Sequence, residues 1–136
     1  MIIFLDFDGV MHPTNQRNLF CREEHLARVL NGFKEVEIVI SSSWRLTHSL
    51  KNMQTFFLTD LRSKVVGVTP VIDSNVQFVR FYEIQKYFAD TGNQYRHWVA
   101  LDDDTVLFPP ECPELILCDG DIGFCDAQAE TLFLLK

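Results

Sequence analysis

The chain has 136 residues, a formal charge of −7, and 47% apolar against 23% charged residues. That composition supplies one folded domain, residues 1–136, with a core of ordinary size, and it excludes wholesale disorder. An acidic surface draws neither nucleic acid nor anionic membrane by long-range field, although local basic groups still bind phosphate.

The pattern then alternates strand and helix. An apolar run predicts a first strand over residues 2–6. Leu26, Val29, Leu30 and Phe33 recur at helical spacing and predict a helix over 23–33. A second strand is expected over 36–41 and a second helix from 44 to about 58, with Ser43 as its N-cap. A short third strand, 65–68, stops at Thr69-Pro70. Phe81, Ile84 and Phe88 share one face of a helix from 80 to about 89, which Gly92 terminates. Strands at 98–102 and 115–118 follow, then a turn over 120–123 and a closing helix over 126–135. Alternation of this kind predicts a parallel sheet covered on both faces, with every strand's C-terminus along one edge. No apolar stretch approaches the roughly 18 residues of a membrane span, and no basic leader precedes the first strand, so a cytoplasmic protein is expected. The four cysteines, Cys21, Cys112, Cys118 and Cys125, contain no CxxC pair and read as reduced packing residues.

Chemistry concentrates where these strands end. Asp6-Phe7-Asp8-Gly9 follows the first strand, and residues two apart along a strand point the same way. One carboxylate can then attack an electrophile while the other moves protons. Asp102-Asp103-Asp104 follows the fourth strand; a turn and a helix cap account for one of these aspartates, leaving Asp102 or Asp103 as a metal ligand. Like charges about 4 Å apart repel by roughly 4 kcal/mol at an effective dielectric near 20, so crowding implies a hard cation or a raised carboxylate pKa. Between them, Ser41-Ser42-Ser43 stands at a helix start, where hydroxyls and free N–H groups bind anions. At least one of the three serines is a candidate phosphate contact, Ser42 and Ser43 first, as is Arg45, which is equally readable as a surface residue. Arg80, with Lys86 as second choice, is the cation that a phosphoryl group would require. His12-Pro13 lies in the loop after the first motif and reads as a surface histidine or an entrance residue.

In order and spacing these motifs resemble those of the haloacid dehalogenase (HAD) superfamily. More narrowly, DFDGV-M-HP, ISSSWR, VGVTP, R-x-x-EI and WVALDDD resemble the HAD domains of Swiss Army Knife RNA-repair proteins. The resemblance implies a Rossmann-like three-layer α/β/α sandwich with a five-stranded parallel sheet and Mg²⁺-dependent phosphoryl transfer. It makes Asp6 the nucleophile of an aspartyl-phosphate and Asp8 the general acid and base, with the Asp8 main-chain carbonyl on Mg²⁺. It sets Ser42 on a phosphoryl oxygen, Arg80 at the basic motif position, and Asp103 or Asp102 on the metal together with Asp6. Gly123-Phe124-Cys125 departs from the Gly-Leu-Thr expected of the relatives, which touches a helix cap.

The segments between motifs have room for crossover helices and one strand, so no cap domain is expected. An open site suits an exposed phosphate of a macromolecule, nucleic-acid ends among them, or a slow, permissive phosphatase. The rivals are a phosphate- or partner-binding module without catalysis, a phosphate-receiver domain, whose acidic pair and phosphorylated aspartate come in another order, and a two-metal nuclease, which the acidic charge disfavours. Oligomeric state is not specified by the sequence.

Overall fold

In the computed structural model, which describes residues 1–93 and 96–135, five strands form one all-parallel sheet. They are β1 (Ile2–Leu5), β2 (Glu37–Ile40), β3 (Val65–Val68), β4 (Trp98–Asp102) and β5 (Leu115–Leu117), in the order β3-β2-β1-β4-β5. The helices are α1 (Glu23–Leu30), α2 (Leu50–Thr55), α3 (Val79–Thr91) and α4 (Asp126–Phe133).

The apolar runs form strands because both faces of each are covered. Ile3, Leu5, Ile38, Ile40, Val99 and Leu101 pack with Leu26 and Leu30 of α1, Met53 of α2 and Leu132 of α4. Ile2, Phe4, Val39 and Ala100 point the other way, against Ile84 and Phe88 of α3. The result is the expected three-layer α/β/α sandwich. No helix among the described residues is long and apolar enough to cross a membrane.

Chain order reverses at β1: β2 and β3 lie to one side, β4 and β5 to the other. Open α/β sheets bind ligands in the crevice beyond the strand C-termini at such a reversal. Asp6 and Asp102 stand at that crevice.

One predicted helix breaks in two. In place of a helix from 44 to about 58, a 3₁₀ turn, Ser43–Leu46, is followed by α2. The Ser42 hydroxyl, not that of Ser43, caps the turn by accepting the Trp44 N–H at 3.2 Å. Thr47, His48 and Ser49 interrupt the helical path: Thr47 Oγ1 donates to the Trp44 carbonyl, and Ser49 restarts the helix by accepting the Asn52 N–H. Hydroxyl side chains that bond to the local backbone compete with helix continuation. At α4, Gln128 reaches back to accept the Cys125 N–H at 2.9 Å, so the departure at Gly123-Phe124-Cys125 still yields a capped helix. The cysteines are free thiols, and burial pushes the Cys118 thiol upward.

Candidate active site

The parallel register carries polar residues into line. Leu5 pairs with Ile40 and Leu101, and Ile40 with Val68. One residue further on, the ladder continues: Asp6 N–H donates to Leu101, Ser41 N–H to Leu5, and Thr69 N–H to Ile40. Thr69, Ser41, Asp6 and Asp102 therefore form one row across four adjacent strands. Phe4, Val39 and Ala100 face α3, so by alternation Asp6, Ser41 and Asp102 face it too. Gly67, two residues before Thr69, lies against Tyr87 of α3, which sets Thr69 on the same side.

Arg80, in the first turn of α3, meets this row. Its guanidinium lies 2.7 Å from Asp102 and 3.4 Å from Asp6. Asp6, Asp102 and Asp103 each offer an oxygen within 4.8 Å of the others. With three carboxylates and one guanidinium, the ionised cluster has a formal charge of −3 + 1 = −2. Burial and then the charge of Asp102 hold the Asp6 carboxyl well above its ordinary value, with Arg80 opposing. Burial likewise raises Asp102. Arg80 is raised, because the charges of Asp102 and Asp6 outweigh the opposing effect of its own burial. Hard oxygen donors with an uncancelled double negative charge fit Mg²⁺. Asp103 is the more open of the two candidate ligands. Its carboxylate sits against Gly9 and Gly120, where any Cβ would collide with it, and accepts from Thr14 at 3.2 Å. Asp102 already accepts from Arg80 and from the Asp104 N–H, while Asp104 takes the capping role by accepting the Val106 N–H.

Among the described residues, three buried polar side-chain atoms have no hydrogen-bond partner: Ser41 Oγ, Thr69 Oγ1 and Arg80 Nε. All three belong to this row or to the arginine against it. Ser41 and Thr69 are only 1% and 2% exposed. Buried polar atoms are ordinarily paired, so a row of orphans marks a place built for a polar ligand.

The reversal point of the parallel sheet thus gathers Asp6, Asp102 and Asp103, with Ser41 and Arg80 beside them. The chain matches the HAD domain in Swiss Army Knife RNA repair proteins over residues 2–129. It is a member of that family. Searches of the curated proteins and of the solved structures found no match.

Three sequence expectations for this HAD domain shift in register or role. Ser41, not Ser42 or Ser43, presents a spare hydroxyl beside Asp6; Ser42 caps a turn and Ser43 is exposed beside Asp8. Arg45 is neither a surface residue nor a phosphate contact. Its Nε donates to the Thr69 carbonyl, Nη1 to those of Ser41 and Ser42, and Nη2 to that of Pro70 and to Glu83. All five N–H groups of a guanidinium are thereby engaged. Lys86 pairs with Asp90 on the exposed side of α3. His12 is wholly buried at 0% exposure rather than on the surface. Its Nδ1 accepts the Phe20 N–H, which assigns the proton of the neutral ring to Nε2, 2.8 Å from Asp8 Oδ1. Gln16 and Trp44 Nε1 also donate to Asp8, at 3.2–3.3 Å and 3.2 Å. Asp8 is thus held outside the aspartate cluster by three neutral donors. Its side chain is not one of the grouped metal-ligand candidates, which are Asp6, Asp102 and Asp103.

Gln16 and Trp44 were not legible as site residues, and His12 was legible only as a surface or entrance residue. The available signal was the i, i+4 spacing of Asp8 and His12 inside a tight loop. That loop is strained: Gln16, Asn18 and Phe20 adopt left-handed φ of 61°, 51° and 59°. Such conformations in non-glycine residues concentrate at functional sites.

Proposed function

We propose that this HAD domain is a Mg²⁺-dependent phosphomonoesterase working through an aspartyl-phosphate on Asp6. Membership of the HAD family supports phosphatase-type hydrolysis in general. The observation that carries the finer reading is the orphaned Ser41 hydroxyl and Arg80 Nε beside a buried, cation-demanding Asp6.

Asp6 attacks phosphorus, and the bond from phosphorus to the alcohol oxygen breaks. Asp8 delivers a proton to that oxygen. Water then attacks the phosphorus of phospho-Asp6, and Asp8 takes the water's proton, which restores it as the acid for the next turnover. The Ser41 hydroxyl and Arg80 Nε–H donate to phosphoryl oxygens, where charge builds in the transition state. Asp6, Asp103 and Asp102, with the Asp8 carbonyl, would hold Mg²⁺, which supplies the positive charge that lets a carboxylate approach a phosphoryl group. His12, Gln16 and Trp44 orient Asp8.

The family's description speaks of RNA repair, which makes a phosphorylated RNA end one substrate to test beside small monoesters and phosphopeptides. The deciding experiment measures phosphate released from an aryl phosphate with and without Mg²⁺, for wild type and Asp6→Asn. Mg²⁺-dependent turnover abolished in the variant is expected. No turnover in wild type, or equal turnover in both, would return the domain to a binding module.

A further inference from the structure

Beside Asp8 the surface opens into a cavity of about 580 Å³, lined by Gln16, Ser43, Trp44, Leu46 and His48. We propose that this cavity is the leaving-group subsite and that it takes a flat, uncharged ring borne on the alcohol oxygen of the phosphate ester. The proposal rests on the phosphatase reading and gives it a substrate class.

Position argues first. Asp8 forms one wall of the cavity and is the group that protonates the departing oxygen. The alcohol must therefore lie on the Asp8 side, while the phosphoryl group lies towards Asp6, Ser41 and Arg80. A hollow of similar size, lined by Met1, Phe33 and Glu35, lies at the N-terminal edge of the strands and adjoins none of these residues.

Lining chemistry argues next. The His48 ring stacks on Trp44, with centroids 5.5 Å apart and planes 26° from parallel. Phe56 meets both rings edge-on, and Phe7 and Phe20 brace Trp44 from below. A stack buttressed in this way is a rigid platform rather than a loose surface pair. Leu46, 59% exposed, adds an apolar side wall. Aromatic ledges with an aliphatic wall favour a planar partner by offset stacking. Around this ledge the uncharged polar groups are an amide, Gln16, and two hydroxyls, Ser43 and Thr47, which hydrogen-bond without charge. No lysine or arginine lies among the described residues of the lining to receive an anion. A neutral ring is accommodated there, and a second anionic group is not.

The backbone supports the assignment. Gln16 holds its left-handed φ of 61° while its amide spans both Asp8 oxygens. The strained loop thus fixes the cavity's far wall against the proton donor.

The test is a binding titration of the full chain with Mg²⁺, read from the Trp44 indole N–H resonance. The ligands are methylphosphonate, 2-naphthylmethylphosphonate and the same ring bearing a carboxylate. The neutral naphthyl compound should bind about tenfold more tightly than methylphosphonate. The carboxylated ring should lose that advantage. Leu46→Asp and His48→Ala should each reduce the naphthyl preference to below about threefold. Equal binding of the naphthyl and methyl compounds by wild type, or a preference that survives both substitutions, overturns the subsite. If that occurs while Asp6-dependent turnover persists, the phosphatase reading stands and the subsite alone falls. Absence of both binding and turnover removes the two together.

Discussion

Two largely buried arginines, Arg45 against α3 and Arg80 within it, lie beside the strand ends and bond in opposite ways. Arg45 has spent every donor: four backbone carbonyls and Glu83 surround it. It locks the serine turn to the segment after β3 and to α3. Arg80 pairs with Asp102 and Asp6 yet keeps a buried Nε–H with nothing to receive it. Both are charged and both are largely sequestered from water, so neither property tells them apart. The spare donor does. The same distinction separates Ser41, whose hydroxyl is unused, from Ser42, whose hydroxyl caps a turn.

The largest effect should come from the unsaturated side. Asp6→Asn keeps the shape of the row and removes the carboxylate proposed as nucleophile, so phosphate release should fall by roughly 10⁴-fold or more, in line with the loss of a covalent nucleophile elsewhere. Circular dichroism and the unfolding midpoint should show a folded protein. Unfolding together with the loss of activity would make Asp6 a structural residue.

Lysine at each arginine breaks the comparison most directly. An ammonium has three donors and no fork, so Arg45→Lys leaves at least two of five acceptors unserved. Urea unfolding should lose about 2–4 kcal/mol, given about 1–3 kcal/mol for each buried group left unpaired. Arg80→Lys retains a charge for Asp102 but loses the Nε–H. Its stability should stay within about 1 kcal/mol of wild type, while kcat/KM falls by about tenfold. The reverse pattern, a stable Arg45→Lys with weakened activity, would exchange the two roles.

These outcomes bear on how much of the molecule could be read in advance. β1 and β4 were legible because Ile2–Leu5 and Trp98–Asp102 are apolar runs that end abruptly in aspartate. That their C-termini share one edge followed from parallel strands joined by right-handed crossovers. The choice among Ser41, Ser42 and Ser43 was not legible, since it depends on which residue stands level with Asp6 in the adjoining strand. The break after Leu46 was hidden for a similar reason: the turn is fastened by Arg45 to Thr69 and Pro70, far along the chain. His12 looked like a surface residue because its burial comes from Phe20 and Trp44, which local patterning does not bring to it.

His12→Ala probes the saturated side nearer the chemistry. It frees the Phe20 N–H, removes one donor from Asp8, and opens a void under Trp44. Stability should drop by about 2–3 kcal/mol and kcat by about tenfold. His12→Gln, which can return an N–H towards Asp8, should recover more kcat than stability. Parallel recovery of both would reduce His12 to a packing residue.

Metal and pH should sharpen the comparison by smaller amounts. Asp6 and Asp102 hold protons more tightly in the folded chain than at the ordinary value of 3.8. The unfolded chain therefore binds fewer protons between that value and the raised one, and stability falls as pH rises through this window. The loss is absent below the ordinary value and complete above the raised one. In chelator, unfolding free energy should decline from about pH 4 towards neutrality, and Asp6→Asn should flatten the decline. Mg²⁺ at tenfold its dissociation constant should restore about 1.4 kcal/mol. Asp103→Asn should weaken that restoration, whereas Arg45→Lys should leave it intact.

The smallest effect divides the aspartate triplet. Asp104 accepts the Val106 N–H at 3.0 Å and lies outside the group of three carboxylates that share a metal-sized space. Asp104→Ala removes a cap and should cost about 1 kcal/mol of stability. Its phosphate release should stay within about twofold of wild type, because no neighbouring charge or donor at the row changes. A large drop in activity would show that the turn after β4 positions Asp103 through Asp104. The line between saturated, structural groups and unsaturated, ligand-facing ones would then run one residue later than the hydrogen bonds now draw it.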